Sequence, residues 1–288
     1  MFSEISYTSD DGLRLYARDY PAASGQAHLP VICIHGLTRN SADFEDVAPW
    51  IAAQGRRVLA VDVRGRGNSE YDARPERYTT MVYANDMVKL ALDLGIERAV
   101  FIGTSMGGLI TMTLAVRKSS LVAAAVLNDV GPALSERGLS RIRNYTGKGE
   151  RFTSWQQAAE YIASINTIAF PGNTPQEWER WARRAFREQA DGSLALRYDP
   201  NIAVPIRANK LRATSMAAHF AFRRLARRRP TMLVRGALSD LIEPAQANAM
   251  RAAAPRMLYA EVPGVGHAPM LSEPAAQEAL RGFLAGVD

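Results

Sequence analysis

Ser105 stands in Gly103-Thr104-Ser105-Met106-Gly107, and its hydroxyl is the first group of the 288-residue chain with a claim to chemistry. A serine hydroxyl is a poor nucleophile at neutral pH and needs a base, commonly a histidine oriented by a carboxylate. The chain has four histidines. His28 falls in a polar loop and His219 deep in the middle of the chain. His35 precedes Gly36 at the end of a short apolar run, where it is expected to hold the loop. His267 lies in Gly264-Val265-Gly266-His267-Ala268-Pro269, directly after the last strand-like run, and is the expected general base. For the carboxylate, the loop after the preceding strand offers Gly236-Ala237-Leu238-Ser239-Asp240. Asp240 is therefore the expected acid, with Asp129, after the strand that follows Ser105, as the alternative. An oxyanion formed on attack needs fixed donors. The backbone N–H groups of Met106, next to the serine, and of Leu37, next to Gly36, are the expected pair.

These residues need a frame that brings loops together. Ala99 to Ile102 reads as a buried strand and Leu109 to Val116 as a helix, so Ser105 sits at a strand-to-helix corner. Such a corner forces a strained backbone, and a side chain two positions before or after it would collide, hence Gly103 and Gly107. Short strands are expected at Ser3–Tyr7 and Leu13–Tyr20 (a hairpin), Val31–Ile34, Arg57–Val61, Val122–Leu127, Thr231–Arg235 and Met257–Val262, and a loop at Pro21–Pro30. Helices are expected from Ser41 or Asp43 through Ile51, from Tyr78 or Thr79 to Leu94, over 106–118, from Glu243 to Ala253 and from Ser272 to Gly286. Strands alternating with helices imply a mostly parallel sheet covered on both faces. Between Pro132 and Arg229 the strand rhythm stops, and Trp155–Ile165, Gln176–Ala190 and a segment near Asn209–Arg227 read as helical. The expected organisation is a core of residues 1–131 and 230–288 with a helical cap, or lid, of residues 132–229. In an open sheet of this kind ligands sit at the carboxyl ends of the strands, where the cap would lie.

Composition narrows the classes. Hydrophobic residues make up 47%, enough for one large core. No stretch approaches the ~18–20 apolar residues of a membrane span. Met1–Asp11 has no basic and apolar leader pattern, so a cytoplasmic protein without a membrane partner is expected. The single cysteine, Cys33, lies in an apolar run and reads as a small core residue. Net charge is +6, and the densest basic run is Arg223, Arg224, Arg227, Arg228 and Arg229. It lacks interleaved aromatics, so a solvated helix face is expected rather than a nucleic-acid surface. No metal-ligand spacing is present, and no metal is expected.

Taken together, His35-Gly36, Asp62-x-Arg64-Gly65-x-Gly67-x-Ser69, Gly103-x-Ser105-x-Gly107, Asp240 and Gly266-His267, in this order, resemble the α/β-hydrolase superfamily in its capped serine-hydrolase branch. The resemblance covers essentially the whole chain. It implies an eight-stranded, mostly parallel sheet with the second strand antiparallel and a helical cap inserted after the sixth strand. It further implies no cofactor, and hydrolysis through an acyl-enzyme. The Asp62–Ser69 loop is then a structural signature. Ser105 departs from the aspartate nucleophile of haloalkane dehalogenases and epoxide hydrolases, and Thr38 from the His-Gly-x-Pro loop of the latter. Leu37-Thr38-Arg39-Asn40 departs from the Gly-Pro-Gly-like stretch of meta-cleavage hydrolases. Met106 stands where prolyl aminopeptidases carry Trp. Ser-Met-Gly-Gly is similar to the cofactor-free haloperoxidase and esterase group.

The reading that results is a hydrolase of a small carboxylic ester or lactone, monomeric or homodimeric. The alternatives are a carbon–carbon hydrolase of dienoate-type substrates and a receptor-like binder of a small ligand. Trp155, Trp178, Trp181 and His219, with Tyr161 and Phe170, are candidates for the pocket wall, and Arg183, Arg184 or Arg207 for holding a substrate carboxylate.

Overall fold

Five strands supply the frame: β1 (Ser3–Thr8), β2 (Arg14–Tyr20), β3 (Val31–Ile34), β4 (Val58–Asp62) and β5 (Ala99–Thr104). β6 (Val122–Asn128) follows, then, after a long excursion, β10 (Thr231–Gly236) and β11 (Leu258–Val262). In the computed structural model, which describes residues 1–23, 28–208 and 213–287, these form one eight-stranded sheet of order β1-β2-β4-β3-β5-β6-β10-β11. Only β2 runs against its neighbours. Every residue of β3, β4, β6 and β10 is buried, as expected of central parallel strands covered on both faces.

The covers come from six helices. α1 (Val47–Ala52) and α10 (Pro274–Ala285) pack Val47, Ile51, Leu280 and Phe283 on one face. α2 (Thr80–Asp93), α3 (Met106–Arg117), α8 (Met216–Arg228) and α9 (Pro244–Ala253) pack Met87, Ile110, Phe222 and Met250 on the other. α2 is bounded by its sequence: the Thr79 hydroxyl caps Val82 N, and Gly95 follows the last turn at φ +64°, the left-handed position that ends many helices. The turn before α1 is capped by Asn40 rather than by Ser41 or Asp43. Arg64, 1% exposed, gathers Asp11 of the first hairpin, Asp72 and Asp86 of α2 at 2.6–2.8 Å. The Asp62–Ser69 loop thus locks three segments together.

The excursion between β6 and β10 carries α4 (Glu136–Tyr145), α5 (Trp155–Asn166), α6 (Pro175–Ala185) and α7 (Val204–Arg207). It also carries three short strands, β7 (Arg151–Phe152), β8 (Phe186–Glu188) and β9 (Leu194–Leu196), in a small antiparallel sheet. Ala158, Ile162, Phe170, Trp178, Trp181 and Phe186 form a core of its own. Sequence pattern put a helix over 176–190 and no strand here. The helix stops at Ala185 because the chain turns back at Asp191-Gly192, with Gln189 N bonded to Ser193 O, a hairpin signal that the helical pattern masked. Helix α4 was not expected at all. Residues 24–27 of the expected 21–30 loop, and 209–212 of the expected helix near Asn209–Arg227, lie outside the described residues. That helix begins at Met216, capped by Ser215.

No described helix is long and apolar enough to cross a membrane. Cys33 is fully buried, and burial pushes its thiol well above the usual range. In the arginine run, Arg224, Arg227 and Arg229 bond the main-chain carbonyls of Ala115, Ala253 and Ser119.

Candidate active site

Ser105 occupies the corner between β5 and α3 with φ +52° and ψ −112°. The glycines around it are steric necessities. A Cβ on Gly107 would overlap the Ile34 carbonyl, and one on Gly103 would overlap the Gly107 backbone. The hydroxyl lies 2.9 Å from His267 Nε2, and His267 Nδ1 lies 2.8 Å from Asp129 Oδ2. His267 is delivered by the loop after β11, and Asp129 by the turn after β6 at φ +54°. The Asp129 carboxylate is completely buried. Gly236 N–H donates to its Oδ1 at 3.0 Å, and the Ser239 hydroxyl to its Oδ2 at 2.5 Å. Two donors thus fix the carboxylate in the plane that meets His267, so the imidazole carries its proton on Nδ1 and presents Nε2 to the serine as an acceptor.

Asp240, the expected acid, is not against the histidine. Arg141 of α4 holds it bidentate, at 2.6 and 2.8 Å. Burial pushes the Asp240 carboxyl up, but the Arg141 hydrogen bonds and charge, joined by His267, outweigh it and hold it below its usual value. The reason is positional. β6 and β10 are neighbours in the sheet, so the loops after both deliver an aspartate close to His267. Ser239 turns inward to Asp129, and the next residue, Asp240, turns outward toward the excursion.

Met106 opens α3, so its N–H stands at the helix start, where an amide has no carbonyl of the preceding turn to meet. Leu37 follows Gly36 beside Ser105, and the pair lines the same cavity as the serine. A Cβ on Gly36 would meet only ordinary contacts, 3.8 Å from Ser105 Cβ, so the fold itself tolerates a side chain there; it would stand beside Ser105. His35 is fully buried, with Nδ1 donating to Gly36 O at 2.7 Å and Nε2 accepting from Val63 N at 3.1 Å. Burial pushes its pKa down to about 4, so it is a neutral brace for the loop.

Two residues with no place in the expected site support it. Asn128 donates to Thr104 Oγ1 at 3.0 Å and to Pro269 O at 2.7 Å, tying the serine strand to the histidine loop. Arg66, with no exposed surface, donates to Leu37 O at 2.9 Å and Tyr83 Oη at 2.9 Å, and reaches Met106 Sδ at 3.6 Å. It braces both residues whose amides are expected to hold an oxyanion. Its position inside Asp62–Ser69 was the only signal available.

Of the aromatic candidates, Trp181, Tyr161 and Phe170 line the cavity at Ser105, whereas Trp155, Trp178 and His219 do not. Trp178 stacks edge-on against Trp181 at 5.3 Å inside the excursion's own core, and Arg183 covers Trp155. His219 bonds Thr214 Oγ1 at 3.0 Å. The arginine candidates are likewise engaged elsewhere: Arg184 with Glu45 and Asp46, Arg183 with Glu179, and Arg207 with Gly147 O.

With the geometry in place, comparison with known proteins is direct. Residues 30–274 match the family model for the α/β-hydrolase fold. The chain is 38% identical over 250 residues to the 3-hydroxybutyrate-oligomer hydrolase of Cupriavidus necator, covering 85% of this chain and 84% of that one. It is 25% identical to the sn-1-specific diacylglycerol lipase of Mus musculus, over 92% of this chain and 84% of the lipase. The crystal structure of an α/β hydrolase from Novosphingobium aromaticivorans superposes with a TM-score of 0.91 at 40% identity, covering 99% of this chain and 98% of that one. The chain belongs to the α/β-hydrolase fold family.

Proposed function

We propose that the chain is a serine hydrolase of carboxylic esters in which Ser105 is the nucleophile, His267 the general base and Asp129 the acid that orients it. The observation that carries this reading is the continuous line from Ser105 Oγ to His267 Nε2, at 2.9 Å, and from Nδ1 to Asp129, at 2.8 Å. In acylation, His267 Nε2 takes the hydroxyl proton as Ser105 Oγ attacks the ester carbonyl carbon. The negative oxygen is held by the N–H groups of Leu37 and Met106, donors of a kind worth roughly 3–4 kcal/mol each. As the carbonyl re-forms, the bond to the alcohol oxygen breaks, and His267 returns its proton to that oxygen. Water, deprotonated by the same Nε2, then attacks the acyl-enzyme and releases the acid.

Residues 132–229 act as the cap in this reading, with α4 and α5 walling the cavity above Ser105. Likeness to the 3-hydroxybutyrate-oligomer hydrolase supports a substrate class of short oligomers of 3-hydroxy acids, or simple esters and lactones of similar size.

The test is mass spectrometry after a fluorophosphonate probe, run beside hydrolysis of p-nitrophenyl esters and of a 3-hydroxybutyrate dimer. A single adduct on Ser105, lost in Ser105→Ala along with all turnover, is the expected result. Full labelling or turnover in that variant overturns the assignment.

A further inference from the structure

Ser105 stands where two cavities meet, and their walls differ in chemistry. The first, about 100 Å³, lies under the excursion and includes Arg39, Arg141, Tyr161, Asn166, Tyr198 and His267. The second, about 170 Å³, runs between α2, α3, α4 and α7; aliphatic side chains such as Leu109, Leu134, Leu139 and Ile206 dominate its wall, joined by Thr80 and Tyr83. Leu37, Ser105 and Ile142 belong to both. Each is many times the ~10–15 Å³ that one water needs, so each has room for part of a substrate.

The position of the base decides which part goes where. The leaving oxygen takes its proton from His267 Nε2 and must come within hydrogen-bond reach of it. His267 is in the wall of the first cavity and not of the second. Met106, whose amide faces the developing oxyanion in the proposed mechanism, is in the wall of the second and not of the first. Resting on the ester-hydrolase reading above, we infer that the second, mainly apolar cavity is the acyl site and the arginine-lined cavity the leaving-group site, so that the preferred substrate joins a short, uncharged acyl group to an alcohol bearing a carboxylate.

The arginines fit that alcohol. Arg39 bonds Asp43, and Arg141 bonds Asp240, in each case through Nε and Nη2. A guanidinium has five N–H donors, so each arginine keeps donors, Nη1 among them, for an incoming carboxylate. No cationic side chain lines the second cavity, where a carboxylate would be stripped of water without a counter-charge. A hydroxy-acid dimer would then place its free-carboxylate half beside Arg141 and its uncharged hydroxyacyl half in the second cavity, among Leu139, Ile206 and the hydroxyl-bearing Thr80 and Tyr83.

Three measurements on the full chain test this. The wild-type protein is given the 3-hydroxybutyrate dimer and the same dimer with its carboxylate capped as a methyl ester. A preference in kcat/KM of tenfold or more for the free acid is expected; equal rates, or preference for the capped dimer, overturn the inference. Arg141→Met is expected to erase most of that preference while leaving the dependence on acyl length unchanged across p-nitrophenyl acetate, butyrate and hexanoate. Ile206→Trp is expected to do the opposite, cutting kcat/KM at least tenfold more for hexanoate than for acetate while keeping the free-acid preference. If Arg141→Met flattens the acyl-length profile, or Ile206→Trp alters the leaving-group preference, the two sites are wrongly assigned. Loss of fluorophosphonate labelling at Ser105 in the wild type would instead remove the ester-hydrolase reading itself, a result distinct from labelled enzyme with unsegregated preferences.

Discussion

Asp129 and Asp240 each follow a parallel strand, each is mostly enclosed, and each lies near His267, yet they are engaged in opposite directions. Asp129 accepts from Gly236 N, Ser239 Oγ and His267; Asp240 is bound to Arg141. Asp129→Asn keeps the shape but inverts the imidazole tautomer, and kcat for a simple ester is expected to fall by about 10⁴. Asp240→Asn is expected to lower it less than tenfold. Steady-state kinetics of both variants decide the matter, and the reverse order would return the acid role to Asp240. His35 offers a separate test. Its folded pKa of about 4 lies below the ordinary value near 6.5. Between those limits the unfolded chain takes up a proton that the folded chain refuses. The neutral His35 therefore contributes its full stability above pH ~6.5, and loses it as pH falls toward its folded pKa. The stability gap between wild type and His35→Gln, from urea unfolding, should narrow by on the order of 2 kcal/mol between pH 7 and pH 5. A constant gap would mean that His35 is not held neutral.

The elements set these residues by close contact rather than by long reach. The β5–α3 corner works because Gly107 lets α3 press against the Ile34 carbonyl of β3. Gly107→Ala is expected to destabilise the fold by more than 3 kcal/mol or to leave it insoluble, since a backbone atom cannot move aside as a side chain can. Chemical denaturation reads this, and a loss under 1 kcal/mol would mean that the corner has slack. Helix α4 shows the same device at the other side of the site. A Cβ on Gly138 would meet the backbone of Asp240 and Leu241 at 2.7–2.9 Å. Gly138→Ala should therefore lift α4, and Arg141 with it, away from Asp240, raising KM more than it lowers kcat; unchanged KM would refute that coupling.

Across the whole molecule, ion pairs anchored on buried arginines carry the long connections. Arg184, 3% exposed on the excursion, bonds Glu45 and Asp46 beside α1, while Asn40 Nδ2 donates to Arg184 O. Tyr78 Oη bonds Asp199 at 2.6 Å on the other side. Arg184→Met removes the cation that bridges the excursion to Glu45 and Asp46, leaving Glu45 only Arg18, and should open residues 132–229 to limited proteolysis several-fold faster than the rest of the chain; uniform cleavage would count against it. Arg64 ties the first hairpin, the loop after β4 and α2. Arg64→Met leaves buried Asp86 without its ion-pair partner, and Asp11 and Asp72 with only Arg74 and Arg77; it is expected to cost about 3–5 kcal/mol, measured as the free energy of unfolding.

Sequence by itself determined the frame and singled out Ser105 and His267, the two groups proposed to react. Mostly apolar runs give the buried strands β3, β4, β5, β6 and β10, four to seven residues long, because a strand covered on both faces has little polar side to show. The Gly-x-Ser-x-Gly corner and the loop histidine at 267 are local features, and local sterics and turn chemistry specify them. The choice between Asp129 and Asp240 is not local. It depends on β6 lying beside β10 and on which of two adjacent residues, Ser239 or Asp240, faces inward, and the spacing of residues along the chain carries neither. The same holds for the cavity walls. Trp178 and Trp181 share one helix three residues apart, but only the packing of α6 against α5 decides which faces the serine. Helix α4 and the hairpin at Asp191-Gly192 have weak intrinsic signals, with a glycine inside the first and a helical pattern running up to the second. Tertiary contacts alone make them ordered elements, and α4 then supplies Arg141, Ile142 and Tyr145 to the cavity at Ser105.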